Sequence, residues 1–233
     1  TYDITQPTVT SVSDAAPLTT ASPVPFEISF SELVTDFDEN DIAVTHGSLT
    51  NFSGGTNYSL SFDGVDDIVL IDPINSLNNF EIHAAFKPTG SSGTTQGIFT
   101  WNTGSTTSDL ITLTINPSGF LETQLRKGEN SPHVIVGDED LSGDNSWHFA
   151  KVTYSGGILK LWLDESLVGS ISSIGIDNIS NGANFEIGGL TYSGSNHDAY
   201  FTGLINNIKL INDQNYVLDY RFQTGSGATL TDF

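Results

Sequence analysis

The sequence SFDGVDDIVLID, residues 61–72, places several carboxylates in a turn just before an apolar stretch. Asp63 and Asp66 are candidate calcium ligands because calcium prefers oxygen, but the ion takes about six to eight such ligands. In the other interpretation, the turn only closes a hairpin. Gly64 then adopts a backbone conformation that other residues resist, and the aspartates accept hydrogen bonds from the turn amides. Both interpretations stay open at this point.

A second acidic stretch, GDEDLSGDNSW at residues 137–147, offers Asp138 and Asp140 as calcium ligands. Its Asp-x-Asp-x-x-x-Asp spacing, which ends at Asp144, indicates calcium. It lacks the bidentate Glu at the twelfth position of an EF-hand loop, so it is not an EF-hand. The alternative is a solvated loop that leads to Trp147, a residue expected in the core.

Two loop segments, TWNTGSTTSD at residues 100–109 and GGLTYSGSNHDAYFTG at residues 188–203, combine aromatic and polar residues. A sugar site needs an aromatic face for C–H groups and fixed polar groups for hydroxyls. In the alternative interpretation, the Trp and the last Tyr point inward and the polar residues only solvate the loops. The candidate ligand-binding residues are Trp101, Asn102, Asp109, Tyr192, Asn196, His197, Asp198 and Tyr200.

Residues that could perform catalysis are sparse in this sequence. A retaining glycosidase needs two carboxyl groups about 5 Å apart, and the closely spaced Glu and Asp residues of sandwich glucanases are absent. Glu81 and Glu186 are isolated, and the five histidines form no recognisable Ser-His-Asp pattern. The sequence therefore predicts that the chain is not an enzyme.

The charge balance narrows the choice of partner. Among 233 residues, 28 are acidic and 7 are basic, for a net charge of -21. Such a surface repels phosphate backbones and anionic lipids, so nucleic acid is excluded as a partner. The one basic cluster in the sequence, RKGENSPH at residues 126–133, is interpreted as a turn with solvated charges, with anionic glycan recognition as the alternative.

The absence of cysteine excludes disulfides and thiolate zinc sites. No apolar run approaches the roughly 18 residues of a membrane span, so no membrane insertion is expected. The chain contains no Met, which indicates a fragment or a processed product with neighbouring domains in a longer chain.

Most segments alternate apolar and polar residues at the period of a β-strand. In HFAKVTYSGGILKLWLDES, residues 148–166, two such strands flank a Gly-Gly turn. Strands at regular spacing without a convincing helix predict an all-β sandwich. The loop SGGTN at residues 53–57 separates two units, 1–55 and 56–233.

The first unit resembles the Ig-like repeats of bacterial surface proteins and RTX-type adhesins. The resemblance rests on PTVTSV, ISFSELVTDFDENDIAV and HGSLTNFSGGTNY. It implies a partial Ig-like β segment, because such a domain usually takes ~100 residues. It also implies calcium ligands at Asp3 and Asp14, between neighbouring repeats, unless these are plain surface acids.

The second unit resembles the LamG, pentraxin and concanavalin A-like family. The matching segments are SLSFDGVDDIVLI, FEIHAAFKP, WHFAKVTYSGGILKLWLDESLVGS, FEIGG, FTGLINNIKL and VLDYRFQTGSGATLTDF. The resemblance implies a jelly-roll sandwich that binds glycans or proteins, often with calcium, through rim loops or the concave face. It also brings loops 101–109 and 190–200 close together. The acidic triplet of pentraxins is absent at residues 190–192, which read Leu-Thr-Tyr.

Together these features predict a non-catalytic, calcium-assisted glycan-binding module of a large bacterial surface adhesin, secreted or on the cell surface. Its partner would be a glycan or a cell-surface protein. Three alternatives remain: a carbohydrate-targeting module of a secreted polysaccharide-degrading enzyme, a phage receptor-binding domain, and a structural spacer.

Overall fold

The computed structural model describes residues 8–12, 27–30, 42–44, 59–73, 76–102, 105, 107–180, 182–193, 196–213 and 215–221. These residues form strands and turns and no helix, which confirms the all-β prediction. Within the same ranges there is accordingly no helix that is long and apolar enough to cross a membrane. The chain divides into two compact units, Thr1–Asn57 and Tyr58–Phe233.

The smaller unit contains one described pair of strands. Strand β1 (Val9–Val12) pairs antiparallel with β2 (Glu27–Phe30), and Val9 lies opposite Phe30. Asp3 and Asp14 lie outside the described residues, so a calcium site there stays a prediction.

The larger unit is a sandwich of two antiparallel sheets. Its strands are β3 Leu60–Asp63, β4 Val69–Ile71, β5 Phe80–Pro88, β6 Gln96–Trp101, β7 Leu110–Ile115, β8 Phe120–Arg126, β9 His133–Asp140, β10 His148–Ser155, β11 Ile158–Leu163, β12 Ser166–Ile171, β13 Phe185–Ile187, β14 Leu190–Ser193, β15 Asn196–Asp198, β16 Thr202–Asn212 and β17 Asn215–Arg221. The seven-stranded sheet has the order β12-β11-β10-β5-β16-β17, with β3 also paired to β16. The six-stranded sheet has the order β4-β13-β6-β7-β8-β9. This arrangement is the jelly roll that the sequence predicts.

The core lies between the two sheets because each strand turns alternate side chains inward. In β10, Ala150, Val152 and Tyr154 are buried, while Phe149 and Lys151 face outward, as the sequence alternation predicts. Every residue of β6 and β7 is buried. These two strands occupy the middle of their sheet, so even their outward side chains are largely covered.

The predicted Gly-Gly hairpin is confirmed. Strand β10 pairs with β11, and Gly156 and Gly157 take φ of 57° and 75°, in the left-handed region that favours glycine. A Cβ at Gly157 would also lie 2.9 Å from the carbonyl oxygen of Ile174.

A short hairpin, β14–β15, is anchored to the six-stranded sheet. The Thr100 hydroxyl donates to the carbonyl oxygen of Gly189 at 2.9 Å, and Asn102 Nδ2 donates to that of Thr191 at 2.8 Å. These bonds hold β14 and the residue before it against the C-terminal end of β6.

Candidate functional site

A polar groove of about 250 Å³ lies on the outward face of the six-stranded sheet. Strands β7 and β8 form its floor because their apolar residues, such as Leu113 and Leu125, turn into the core. Their polar residues therefore share the opposite face. The lining residues are Thr95, Asn102, Ser105, Leu110, Thr112, Thr114, Asn116, Pro117, Glu122, Gln124, Arg126 and Leu190.

A carboxylate near one end of the groove is held by amide groups. Gln124 Nε2 donates to Glu122 Oε1 at 2.6 Å, and Asn116 Nδ2 donates to Glu122 Oε2 at 3.3 Å. The register places Thr114 opposite Glu122 and Thr112 opposite Gln124. The floor therefore presents two adjacent rows of hydrogen-bonding side chains at the spacing of paired strands.

A guanidinium lies farther along the groove, on the last residue of β8. Arg126 Nε donates to the carbonyl oxygen of Ser108 at 3.0 Å, and Nη2 donates to that of Ser105 at 2.7 Å. These two bonds fix the plane of the guanidinium. Within the described ranges Nη1 has no partner, so its two N–H groups can donate to a bound molecule.

The floor also contains an unsatisfied hydroxyl. Thr112 is 4% exposed, and its Oγ1 has no hydrogen-bond partner among the described residues. A buried polar group without a partner costs about 1–3 kcal/mol. The adjacent strand provides a contrast, because Thr123 turns inward and its Oγ1 donates to the carbonyl oxygen of Thr112 at 2.8 Å. Among the described residues, the hydrogen-bonding capacity of the Thr112 hydroxyl is therefore unused, and its oxygen is covered by neighbouring side chains.

The two loops predicted to form one rim do meet beside this groove. Asn102 and Ser105 line it from the first loop and Leu190 from the second, and Asn102 bonds to Thr191 across the gap. Of the other residues predicted in the second loop, Tyr200 is half-buried. The remaining four, Tyr192, Asn196, His197 and Asp198, lie in the β14–β15 hairpin, and the structure describes only their backbone.

Trp101 belongs to the core, which corrects its prediction as a ligand-binding residue. It is 0% exposed and stacks on Phe185 with ring centroids 4.6 Å apart. Its Nε1 donates to the carbonyl oxygen of Ala183 at 2.8 Å. Trp101 and Phe99 pair with the same strand, β13, and both turn inward, so no aromatic face from Trp101 is open to a sugar.

Asp109 is also structural, and its assignment to the ligand site is corrected. It is 6% exposed and is absent from the groove lining. Its carboxylate accepts hydrogen bonds from Lys127 Nζ at 2.9 Å, Gly128 N at 2.8 Å and Ser180 N at 2.7 Å. Burial acts to raise the pKa of Asp109, but these three donors outweigh it and hold that pKa below its usual value. The residue fastens three chain segments together.

The turn after β3 has the hydrogen bonds of a closing turn and also brings three carboxylates close together. Val65 N donates to Asp63 Oδ1 at 2.8 Å and Asp63 N donates to Asp67 Oδ2 at 3.0 Å, so the aspartates do bond the turn amides. Gly64 has φ of 83°, as expected of the turn. One carboxylate oxygen each from Asp63, Asp66 and Asp67 also lie within 4.8 Å of one another. Asp67, not assigned from the sequence, joins the two predicted ligands.

The other acidic stretch is organised differently from the predicted loop. Asp138 and Asp140 are exposed residues of β9, a paired strand. Asp140 Oδ1 accepts from Ser142 N at 2.9 Å, and hydrogen bonds with Ser142 lower the pKa of Asp140. Within the described ranges, neither aspartate belongs to a group of three carboxylates or imidazoles close enough to share a metal ion.

Family comparisons match both parts of the chain. Residues 62–214 match the model of the concanavalin A-like lectin/glucanases superfamily, and residues 3–97 match that of a bacterial Ig-like domain. The matches overlap on residues 62–97, whose strands β4 to β6 lie in the two sheets of the sandwich. A search of curated protein sequences finds no match to this chain.

Solved structures with low sequence identity share the fold. A putative carbohydrate binding protein from Bacteroides ovatus has a TM-score of 0.58 at 14% identity, over 90% of this chain and 63% of that one. The CBM40 of Ruminococcus gnavus IT-sialidase bound to α2,3-sialyllactose has a TM-score of 0.53 at 14% identity, over 67% and 91%. Mouse laminin α1 domains LG4-5 have a TM-score of 0.52 at 14% identity, over 82% and 51%.

At these identities the structural likeness establishes the fold only. The superfamily match adds a sequence relationship that runs from β3 to the turn before β17 and so includes every strand that forms the groove. The chain therefore belongs to the concanavalin A-like lectin/glucanases superfamily, with sequence of the bacterial Ig-like type in its N-terminal part.

Proposed function

We propose that the chain is a non-catalytic carbohydrate-binding module that holds a glycan in the groove on β7 and β8. The observation that carries this proposal is the Thr112 hydroxyl, which is buried in the groove floor without a hydrogen-bond partner among the described residues. A sugar hydroxyl has the bonding capacity to satisfy it once the side chains that cover this oxygen move aside. The carbohydrate-binding proteins among the structural neighbours support the same assignment.

The groove supplies both kinds of contact that a sugar ring needs. Arg126 Nη1 can donate, and Glu122 and Gln124 can accept, because each carries oxygen at the floor. Val134 and Val136 lie opposite Gln124 and Glu122 on β9, and they are 38% and 45% exposed. These valines offer an apolar surface to C–H groups beside the polar rows.

The carboxylate content of the groove favours binding over hydrolysis. Glycosidases use two carboxyl groups, about 5–5.5 Å apart in retaining enzymes and about 6.5–9.5 Å apart in inverting ones. Among the described lining residues Glu122 is the sole carboxylate, and side-chain amides of Gln124 and Asn116 already bond both of its oxygens.

We place the module in an extracellular bacterial surface protein of the adhesin type. The Ig-like match supports this placement, since tandem Ig-like repeats extend such proteins away from the cell. The groove would then recognise glycans on a surface that the bacterium contacts.

Calcium is proposed as a stabilising ion at the turn of Asp63, Asp66 and Asp67. Three exposed or half-buried carboxylates with oxygens within 4.8 Å repel one another, and a divalent cation would relieve that repulsion. Calcium at about 100 times its Kd would add about 2.7 kcal/mol to the free energy of unfolding. Magnesium should act poorly, because it demands tighter octahedral geometry.

Calorimetry with calcium, magnesium or EDTA tests the calcium proposal. We expect calcium to raise the melting temperature of the wild type and of a Glu129→Gln control, and to have no effect on Asp66→Asn. An identical melting temperature in calcium and EDTA would reject the ion.

A pair of isosteric variants tests the groove. Thr112→Val removes a hydroxyl without a partner, so we expect an unchanged or higher melting temperature and a roughly two- to tenfold weaker affinity for a glycan selected on an array. Thr123→Val removes a hydroxyl that donates inward. It should lower the melting temperature and leave glycan affinity unchanged. Wild-type glycan affinity in Thr112→Val would show that the glycan does not bind in the groove.

A further inference from the structure

The seven-stranded sheet carries a cationic face on the side away from the core. The chain has 7 basic residues, and Lys87, Lys151, Lys160 and Lys209 all lie at outward positions of β5, β10, β11 and β16. Their strand neighbours, such as Val152 and Leu210, are buried in the core. We call these four lysines the cationic face. Its concentration of positive charge contrasts with the net charge of -21.

A partly exposed tryptophan lies within this face. Lys151 is opposite Trp162 across β10 and β11, with its Nζ 4.6 Å from the ring centroid. Lys160, two residues before Trp162 on β11, has its Nζ 5.7 Å from the same ring. Each ammonium gains a cation–π contact, yet the two like charges are held near one ring. An anion bound between them would be attracted by both.

The row of charges continues across neighbouring strands. Lys151 lies opposite His83 on β5, and His83 lies opposite Lys209 on β16. From β11 to β16 the row crosses four adjacent strands and is therefore about 14 Å long. Carboxylates also lie on the outward side of this sheet: Glu81 contacts His83 at 3.1 Å, Asp219 lies opposite Lys209, and Asp63 is an outward residue of β3. The strand register places no carboxylate opposite Lys151 or Lys160.

We propose that the cationic face binds an anionic polysaccharide, bearing sulfate or carboxylate groups, as a second site independent of the groove. The row is longer than one sugar ring, so it can contact successive sugars of one chain, and Trp162 gives a ring on which a sugar can stack. Sulfate or carboxylate groups would lie beside Lys151 and Lys160.

Charge density favours a polysaccharide over nucleic acid. Duplex DNA carries one charge about every 1.7 Å, so most of its charges would lie beyond the four lysines of the face. A polysaccharide that carries one charge on every sugar or on every second sugar can pair its charges with the lysines and leave few of them unpaired. Because screening limits attraction to about 10 Å, the local lysines decide such binding and the net charge does not.

Binding of a lightly sulfated dextran, with about one sulfate per glucose and called dextran sulfate below, tests the proposal, with neutral dextran of equal length as control. We expect dextran sulfate alone to bind the wild type. Lys151→Gln and Lys160→Gln should each weaken it roughly two- to fivefold, and the double variant about tenfold. The slope of log affinity against log salt should become shallower in the double variant, because fewer counterions are released. Lys151→Arg, which keeps the charge, should retain affinity.

The groove variant Thr112→Val separates the two sites, since it should bind dextran sulfate normally while the lysine variants keep full affinity for the groove glycan. Absence of dextran sulfate binding at low salt, or equal binding by the double variant, would overturn the proposal. So would DNA binding as tight and as lysine-dependent as dextran sulfate binding. Self-association that the double variant abolishes would instead identify a second acidic copy of the chain as the occupant.

Discussion

Trp101 provides a direct test of whether the sandwich core is packed as described, through the substitution Trp101→Phe. The indole is fully buried, stacks on Phe185 at 4.6 Å and donates to Ala183 at 2.8 Å. Loss of that hydrogen bond costs about 1 kcal/mol. The smaller ring leaves a cavity that costs about a further 1–2 kcal/mol. The variant should therefore lose about 2–3 kcal/mol of unfolding free energy.

For a domain of this size, 1 kcal/mol shifts the melting temperature by roughly 2–4 °C, so we expect a fall of about 4–12 °C. Near-ultraviolet circular dichroism on heating measures it, and glycan affinity should stay at the wild-type value. Trp147→Phe, at a half-buried tryptophan, is the matched control and should show a smaller fall. A variant with an unchanged melting temperature and lost glycan binding would show that Trp101 faces the ligand.

Two buried charged groups give predictions with opposite pH dependence. The ring nitrogens of His148 lie 2.7 Å from carboxylate oxygens of Asp164 and Asp144. Burial alone would lower the pKa of His148, but the two hydrogen bonds outweigh burial and raise that pKa. In urea unfolding, His148→Gln should be less stable than the wild type by roughly 1–3 kcal/mol below about pH 6.5. This difference in unfolding free energy should shrink as the pH rises through the pKa of His148 in the folded protein. A difference that does not change with pH would contradict the prediction. Asp109→Asn loses the charge-assisted contact to Lys127 and should cost about 1.5–3 kcal/mol near neutral pH. Because the pKa of Asp109 is lowered in the folded protein, the difference in unfolding free energy between wild type and Asp109→Asn should vanish as the pH falls through that pKa. Acid unfolding curves of the two proteins that stay separate at low pH would contradict this prediction.

The sequence was most informative where alternation alone decides the outcome. The outward and inward positions of β10 and β11, and the glycine turn between them, follow from period-two patterning in a half-exposed hairpin. The nearness of the two rim loops came from the family resemblance, and the bond between Asn102 and Thr191 agrees with it. For Trp101 the alternation with Phe99 indicated a shared face, but not that the face was the core.

The groove was missed because its signal is weak in a single strand. LITLTI and LETQLR read as ordinary half-exposed strands, and only their register places Thr112 opposite Gln124. Three long polar side chains at alternate positions, Glu122, Gln124 and Arg126, were the available hint. The basic stretch at residues 126–133 is not wholly the solvated turn that its sequence predicts, because Arg126 ends β8 and lines the groove.

The cationic face could not be read from the sequence for a similar reason. Its lysines are separated by up to 122 positions, from 87 to 209, and the strand order β11-β10-β5-β16 alone brings them together. Net charge is a property of the whole surface and hides such a local concentration.

Amide chemical-shift mapping tests whether the groove on β7 and β8 holds a glycan. Isotope-labelled protein would be titrated with a glycan selected on an array. We predict the largest shifts at Thr112, Gln124 and Arg126 on the floor and at Thr191 on the adjoining hairpin. Shifts confined to the seven-stranded sheet or to the turn at residues 63–67, with the groove amides unmoved, would contradict the account.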